Sequence, residues 1–256
     1  MMNYSYWEYK EWLTDNDFVV VGSGIVGLNC AIHLKERFPK SKVVVLEKGL
    51  LPQGASTKNA GFACFGSTSE LLSDLKNHSK EEVFQLVKKR WEGLQFIRNL
   101  LGDTNIDYQH NYGYELFSDE VFFEKCKNKT EELNKLLFPL FNANVFSTTQ
   151  NKFNFQNTVP SYLVNKFEAQ IDPGKMVSQL LKKAQEQGVK VLNNISVLGF
   201  SEGTNQVKIN TSQGEISASK VFFATNGFSR ELLKESISPA RAQVLITSQI
   251  KNLHIK

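Results

Sequence analysis

The stretch DFVVVGSGIVGLNCAIHL (residues 17–34) decides the fold. A short apolar run from Phe18 to Val21 has the make-up of a strand buried on both faces, and it enters a turn of glycines. Apolar residues then recur at helical spacing from Ile25 to Phe38, and Pro39 ends the pattern. A second apolar run, KVVVLE (residues 42–47), follows directly. Strand, helix and strand within some 30 residues make a βαβ unit, whose crossover is expected to be right-handed. Gly22, Gly24 and Gly27 fit G-x-G-x-x-G in the context that gives the motif meaning, after a strand and at the start of a helix. Gly22 permits the tight turn, Gly24 lets a pyrophosphate approach the backbone, and Gly27 lets the helix press on the strand. The helix N-terminus, with its free N–H groups and dipole, favours the anion. Glu47 ends the second strand, where a carboxylate accepts hydrogen bonds from an adenosine ribose and repels a 2′-phosphate. The alternative for Glu47 is a surface carboxylate that merely follows a strand.

Outward from this unit, residues 49–78 are irregular and rich in Gly, Ser, Thr and Asn. Ser79 and Glu82 form a capping box, and Val83, Val87, Trp91, Leu94, Ile97 and Leu101 share one face of a helix that Gly102 terminates. Residues 106–117 are strand-like, 119–138 read as one amphipathic helix, and 145–168 as further strands with loops. Asp172 and Pro173 open another helix, with Met176, Val177, Leu180, Leu181 and Ala184 inward and Gly188 at its end. Val189–Val191 reads as a strand, residues 195–218 as three short strands, and KVFFAT (residues 220–225) as a separate buried strand. Residues 4–13, rich in aromatics, read as a short helix lying on the surface. The expected fold class is α/β: a Rossmann-like domain of the glutathione-reductase type, over residues 1–105 and 169–240, binds the dinucleotide. An inserted α+β domain, over 106–168 and 241–256, is the expected substrate domain.

The bulk properties narrow the function classes. With 256 residues, 41% hydrophobic and 22% charged, the chain is long enough to bury a sizeable core. Its 19 phenylalanines suggest large apolar interiors rather than a particular chemistry. The net charge of +4 is spread without runs, a solvated surface rather than a nucleic-acid footprint. Cys30, Cys64 and Cys126 form no C-x-x-C pair, and Cys64 alone sits near a candidate binding loop. The four histidines show no metal-ligand spacing, so no metal is expected. The start lacks the pattern of a signal peptide and no apolar run reaches bilayer length, so a cytoplasmic protein without a membrane span is expected.

The fingerprint alone leaves NAD and FAD both open. Three features favour FAD. The loop after Glu47, GLLPQGASTKNAGF (residues 49–62), is longer and richer in glycine and hydroxyls than a plain NAD-domain connection. A meander of short strands precedes the last sheet strand. Finally, ATNG (residues 224–227) adds a second small-residue turn at the carboxyl edge of the sheet, where ligands of open α/β sheets bind.

Four stretches, in order between residues 17 and 244, resemble the FAD-dependent D-amino-acid oxidase and glycine oxidase family: VVVGSGIVGLNCAIHL with VVVLEK, GASTKNAGF, IDPGKMVSQLLKKAQEQGV, and VFFATNG followed by SPARAQV. The resemblance implies FAD, with Gly22, Gly24 and Gly27, and Ile25 and Val26 between them, at the pyrophosphate. It implies Glu47 and Lys48 at the AMP ribose, and Ser56, Lys58, Asn59 and Gly61 along the ribityl chain and flavin ring. Val197 would meet adenine through its backbone, and Ala224, Thr225 and Gly227 would pass close to the cofactor. The alternatives are turn-forming roles for Ser56 and Asn59 and core packing for Val197.

The reaction implied is oxidation of a C–N bond in a small amine or amino acid, with hydride passing to the flavin and oxygen or another acceptor reoxidising it. Such chemistry requires no obligatory base if the amine binds neutral, so no catalytic side chain is assigned. Tyr112, Tyr114 and Glu115 are candidates for a substrate pocket wall, against ordinary strand packing. Arg241, in a P-x-R-x-Q segment where this chain has Ala242 instead of the family's usual Gly, is a candidate contact for substrate or cofactor, or a partner for a carboxylate. The resemblance also implies a further stretch after that segment, whereas the sequence stops 15 residues past Arg241. The rival readings are a noncatalytic FAD-binding fragment, an NAD-dependent dehydrogenase, and a tRNA-modifying relative that would need a more basic surface.

Overall fold

The computed structural model describes residues 4–234 and 236–240, and Arg241 lies outside them. The described chain forms two compact units, residues 4–60 with 173–240, and residues 61–172.

The first unit is built on a six-stranded sheet in the order Lys190–Leu192, Val43–Leu46, Asn16–Val21, Gly214–Phe223, Val207–Thr211, Val197–Glu202. The first four strands run parallel and the last two antiparallel. The apolar runs read as buried strands are buried: Val19, Val20 and Val43 to Leu46 are all nearly inaccessible. Helix Ile25–Arg37 turns Gly27, Leu28, Ala31 and Ile32 inward and ends before Pro39. Helix Pro173–Glu186 packs beside it and buries Met176, Val177, Leu180 and Ala184. One face of the sheet is a core of Leu13, Val19, Val21, Val44, Leu46, Ile209, Ile216 and Ala218.

Here the structure joins what the sequence reading kept apart. The third meander strand and KVFFAT are one ten-residue strand, Gly214–Phe223. Its first half pairs with Val207–Thr211 (Ala218 opposite Val207) and its second half with Asn16–Val21 (Phe223 opposite Val21). The end of this strand is not fully buried: Val221 and Phe223 pack on the core while Phe222 faces the other way, 37% exposed. That is the alternation of a strand covered on one face. At the start of the chain, Tyr6–Glu8 and Tyr9–Leu13 form the expected short helix, opened by a Ser5–Glu8 capping box and widening into a π turn. Tyr6, Trp7 and Tyr9 are exposed. The Nζ of Lys42 donates to the carbonyls of Lys10 and Thr14, and that of Lys190 to the carbonyl of Glu11, so two cations hold its C-terminal end.

The second unit contains helix Lys80–Leu101 with the expected Ser79–Glu82 capping box and Gly102 at φ +83°. Residues 61–105, expected with the dinucleotide-binding part, pack into this unit. The reason is the inward face of that helix: Val83 and Val87 join Phe65, Leu71, Leu133, Leu137, Val145 and Phe146 in one core. Trp91, Phe65, Phe141 and Phe167 add a cluster of ring contacts to it, which accounts for part of the phenylalanine content.

Three local expectations are corrected. The stretch 49–78 is less irregular than its composition suggests: it holds a 3-10 turn Ala55–Thr57, strand Phe62–Ala63 and helix Thr68–Asp74. Residues 119–138 are not one helix but two, Glu120–Lys127 and Thr130–Phe141, broken where the hydroxyl of Thr130 takes the carbonyl of Lys127. Of 106–117, only Gly113–Glu115 is strand, paired with Ser161–Asn165, which also pairs with Phe146–Gln150.

Candidate cofactor site

The fingerprint turn is shaped by close backbone approach. Gly22 adopts φ +105°, where side chains are strained, and a β-carbon there would lie 2.7 Å from the carbonyl oxygen of Ala224. A β-carbon on Gly27 would overlap the carbonyl oxygen of Gly22, so only glycine lets the helix sit this close to the turn. The amide of Ala224 donates to the carbonyl of Val21 at 2.9 Å, which fixes the ATNG turn beside the glycines. Gly22, Gly27 and Ala224 are therefore brought together.

Gly24 is the N-cap of helix Ile25–Arg37 and supplies no capping side chain. The Ser56 hydroxyl does so instead, accepting from the amide of Ile25 at 3.0 Å. A helix N-terminus has several amides without intrahelical acceptors, and here the loop after the second strand reaches them. Val26, at the same turn, is 71% exposed. Asn59 turns back on its own loop, donating to the carbonyls of Ser56 (2.8 Å) and Ala55 (3.3 Å). That is the turn-forming role, and Lys58 beside it is exposed.

Glu47 is 9% exposed at the end of its strand. Its Oε2 accepts from the amide and hydroxyl of Ser23 at 3.0 and 2.7 Å, and its Oε1 from the amide of Gly49 at 2.9 Å. Lys48 points away, its ammonium 4.8 Å from the ring centre of Phe228. Val197 begins the edge strand opposite Thr211 and is partly buried against the core. Thr225 bonds Ser229 hydroxyl to hydroxyl at 2.8 Å, and a β-carbon on Gly227 would lie 2.8 Å from the ring of Pro239. Ser23 and Gly49 were missed by sequence reasoning. The signal was available in the parallel register: with Val21 opposite Leu46, the residues that follow are Gly22-Ser23 and Glu47.

Gly61 lies in the second unit, buried at φ +77°, its carbonyl accepting from the amide of Ile171. The three pocket-wall candidates do not converge there. Tyr112 is 48% exposed at φ +66° and stacks edge-on with His110. Tyr114 accepts from Lys152 at 2.8 Å. Glu115 accepts from the Ser67 hydroxyl at 3.1 Å and the Ser69 amide at 3.3 Å, at the start of helix Thr68–Asp74. The same strand face carries Gly113, beside which lies Glu168, a residue that sequence reasoning also missed. Burial, with Glu70 and Glu115 nearby, pushes the Glu168 carboxyl up to about 7 against the pull of the Gly66 and Phe65 amides. Its Oε1 is buried without a hydrogen-bond partner. Cys64 is exposed, and desolvation of its thiol first, then Glu168 and Glu70, push the thiol up to about 11.

A parallel α/β sheet, a glycine turn that only glycine can make, and a buried carboxylate ending the next strand define a dinucleotide-binding protein. The glycines let the turn and the helix N-terminus close up and Glu47 is a buried acceptor beside them, so these residues fit an adenine dinucleotide. The chain belongs to the DAO family of FAD dependent oxidoreductases, whose family model matches residues 17–256. FAD is the cofactor of that family, and the match gives no support to a nicotinamide cofactor. The chain is 24% identical over 246 residues to the bifunctional protein ThiO/ThiG of Synechocystis, covering 91% of this chain and 33% of that protein. It is likewise 24% identical over 243 residues to the gamma-glutamylputrescine oxidoreductase of Escherichia coli, covering 91% of this chain and 55% of the other. Among solved structures it resembles the glycine oxidase of Bacillus cereus, with TM-score 0.62 and 20% identity over 86% of this chain and 58% of that one. At that identity the likeness is one of fold. The chain thus spans between a third and three fifths of the lengths of these relatives. Among the described residues, no helix is long and apolar enough to cross a membrane.

Proposed function

We propose that this chain carries the cofactor-binding part of an oxidoreductase that oxidises the C–N bond of a small amine or amino acid. In this reading the first unit binds FAD, and the second contributes to the substrate side. The observation that carries it is the approach of Gly22, Gly27 and Ala224 around a helix N-terminus, with Glu47 buried at the end of the neighbouring strand. FAD, when bound, supplies the acceptor for the hydride that leaves the amine-bearing carbon, and water hydrolyses the resulting imine. The protein's own part is to bind and orient. Gly22 and Gly27 let the turn and helix close up, and Gly24, Ile25 and Val26 present the helix N-terminus and its dipole to the pyrophosphate. Ser56 stands at the same amides, while Glu47 accepts from the ribose. Lys48, Lys58, Asn59, Gly61, Val197, Thr225 and Gly227 remain assigned to the rest of the cofactor on the family resemblance. Tyr112 and Tyr114 are kept as substrate contacts, as is Arg241, which lies outside the described residues.

The substrate class rests on the family and on relatives whose names specify an amine or an amino acid. Oxygen or another acceptor completes the cycle, and a cytoplasmic location belongs to the same reading. The test is to reconstitute the chain with FAD and follow flavin reduction across a panel of amines and amino acids. Reduction by at least one of them is expected. Tight FAD binding without reduction by any would contradict the catalytic part and leave the cofactor part standing.

A further inference from the structure

The FAD reading leaves open how much of Glu47 is available to a ribose. A carboxylate offers about four lone-pair positions, two on each oxygen. Here Oε2 already accepts twice, from the amide and the hydroxyl of Ser23, and Oε1 accepts once, from the amide of Gly49. All three donors are held by the fold. Ser23 is fully buried between Gly22 and Gly24, and Gly49 lies two residues past Glu47, just beyond strand Val43–Leu46. The Ser23 hydroxyl at 2.7 Å is the shortest of the three bonds, and it is the one that alanine at this position would not make.

We propose that Ser23 fills one oxygen of Glu47, so that the carboxylate accepts from only one of the two adjacent ribose hydroxyls of the adenosine, through Oε1. Ser23 is then a positioning residue that sets which ribose contact determines affinity, a role the glycine fingerprint does not assign to the residue between its first two glycines. The inference rests on the dinucleotide reading of the site. It concerns a side chain that the fingerprint leaves free to vary, so it is a property of this sequence.

The experiment measures ADP, 2′-deoxy-ADP and 3′-deoxy-ADP as competitors of FAD, with flavin fluorescence quenching as the readout. One of the two deoxy nucleotides is expected to bind about tenfold more weakly than ADP, the cost of a hydrogen bond to a charged acceptor, and the other within about threefold of it. In the Ser23→Ala chain the freed lone pair on Oε2 can accept from the second hydroxyl, so both deoxy nucleotides should fall behind ADP and the contrast between them should shrink. Thermal unfolding of the apo chains checks that Ser23→Ala folds. The measurement on the unaltered chain decides the point if it does not. Equal losses for the two deoxy nucleotides in the unaltered chain overturn the inference while leaving FAD binding intact. So does a contrast that a folded Ser23→Ala chain retains in full. Failure of the unaltered chain to bind FAD at all overturns the cofactor reading and this inference together.

Discussion

The carboxylate of Glu168 rests against the backbone of Gly113, so closely that a β-carbon at position 113 would overlap its Oε2. The two residues are 55 positions apart in sequence, yet the glycine is what makes room for a buried acid. Gly113→Ala must push Glu168 out or open the strand pair. An overpacking cost of about 1–3 kcal/mol is expected, read as a lower urea midpoint for unfolding at unchanged slope.

Glu168 also makes stability depend on pH. Its folded-state pKa is raised from 4.5 to about 7, so between those values the folded chain holds a proton that the unfolded chain has released. The contribution is therefore present in full below about pH 4.5 and is lost as pH rises through 7. It amounts to at most about 3 kcal/mol over that window. Glu168→Gln removes the titration, so the difference in unfolding free energy between the two proteins should change between pH 5 and pH 8. Parallel curves for the two proteins would rule the raised pKa out.

Asn134 closes a buried exchange with strand Phe146–Gln150. Its amide nitrogen donates to the carbonyl of Phe146 at 2.9 Å, and its Oδ1 accepts from the Phe146 amide at 2.8 Å. Asn134→Ala leaves both backbone groups buried and unpaired. The expected cost is about 2–4 kcal/mol, larger than that of a single lost hydrogen bond. Equilibrium denaturation gives the value directly.

The helix N-terminus behind the glycine turn gives a binding prediction. Gly27→Ala drives the helix away from the carbonyl of Gly22 and displaces the helix N-terminal amides proposed to hold the pyrophosphate. FAD affinity should fall at least about tenfold, as measured by fluorescence titration. Ser56→Ala removes only the hydroxyl at Ile25 and should cost less, so the order of the two effects is itself a check.

The parts legible in the sequence were those whose cause is local. DFVVVGSGIVG announces a strand, a turn and a helix because buried strands, glycine turns and helical spacing each leave a mark within a few residues. The Ser79–Glu82 cap was read correctly. Ser67–Glu70 carries the same signature and opens helix Thr68–Asp74, but it was hidden inside a stretch whose glycine and hydroxyl content suggested loop. The inward face of Lys80–Leu101 was evident from its periodicity. Which core it would join was not, because that depends on Leu133, Leu137 and Val145, some 50 residues on. The Ser23–Glu47 bond required the register of two parallel strands, and the Gly113–Glu168 contact required a strand pairing that no local pattern signals. At Gly22 and Gly27 the glycine pattern was legible because each answers a steric demand of the turn, a β-carbon meeting the carbonyl of Ala224 or of Gly22.

Titration of the purified chain with FAD, followed by flavin fluorescence and visible absorption, should show saturable binding of one FAD per chain, weakened at least about tenfold by Glu47→Ala. A chain that is folded by circular dichroism yet binds no FAD, or binds it equally well without Glu47, would contradict the account.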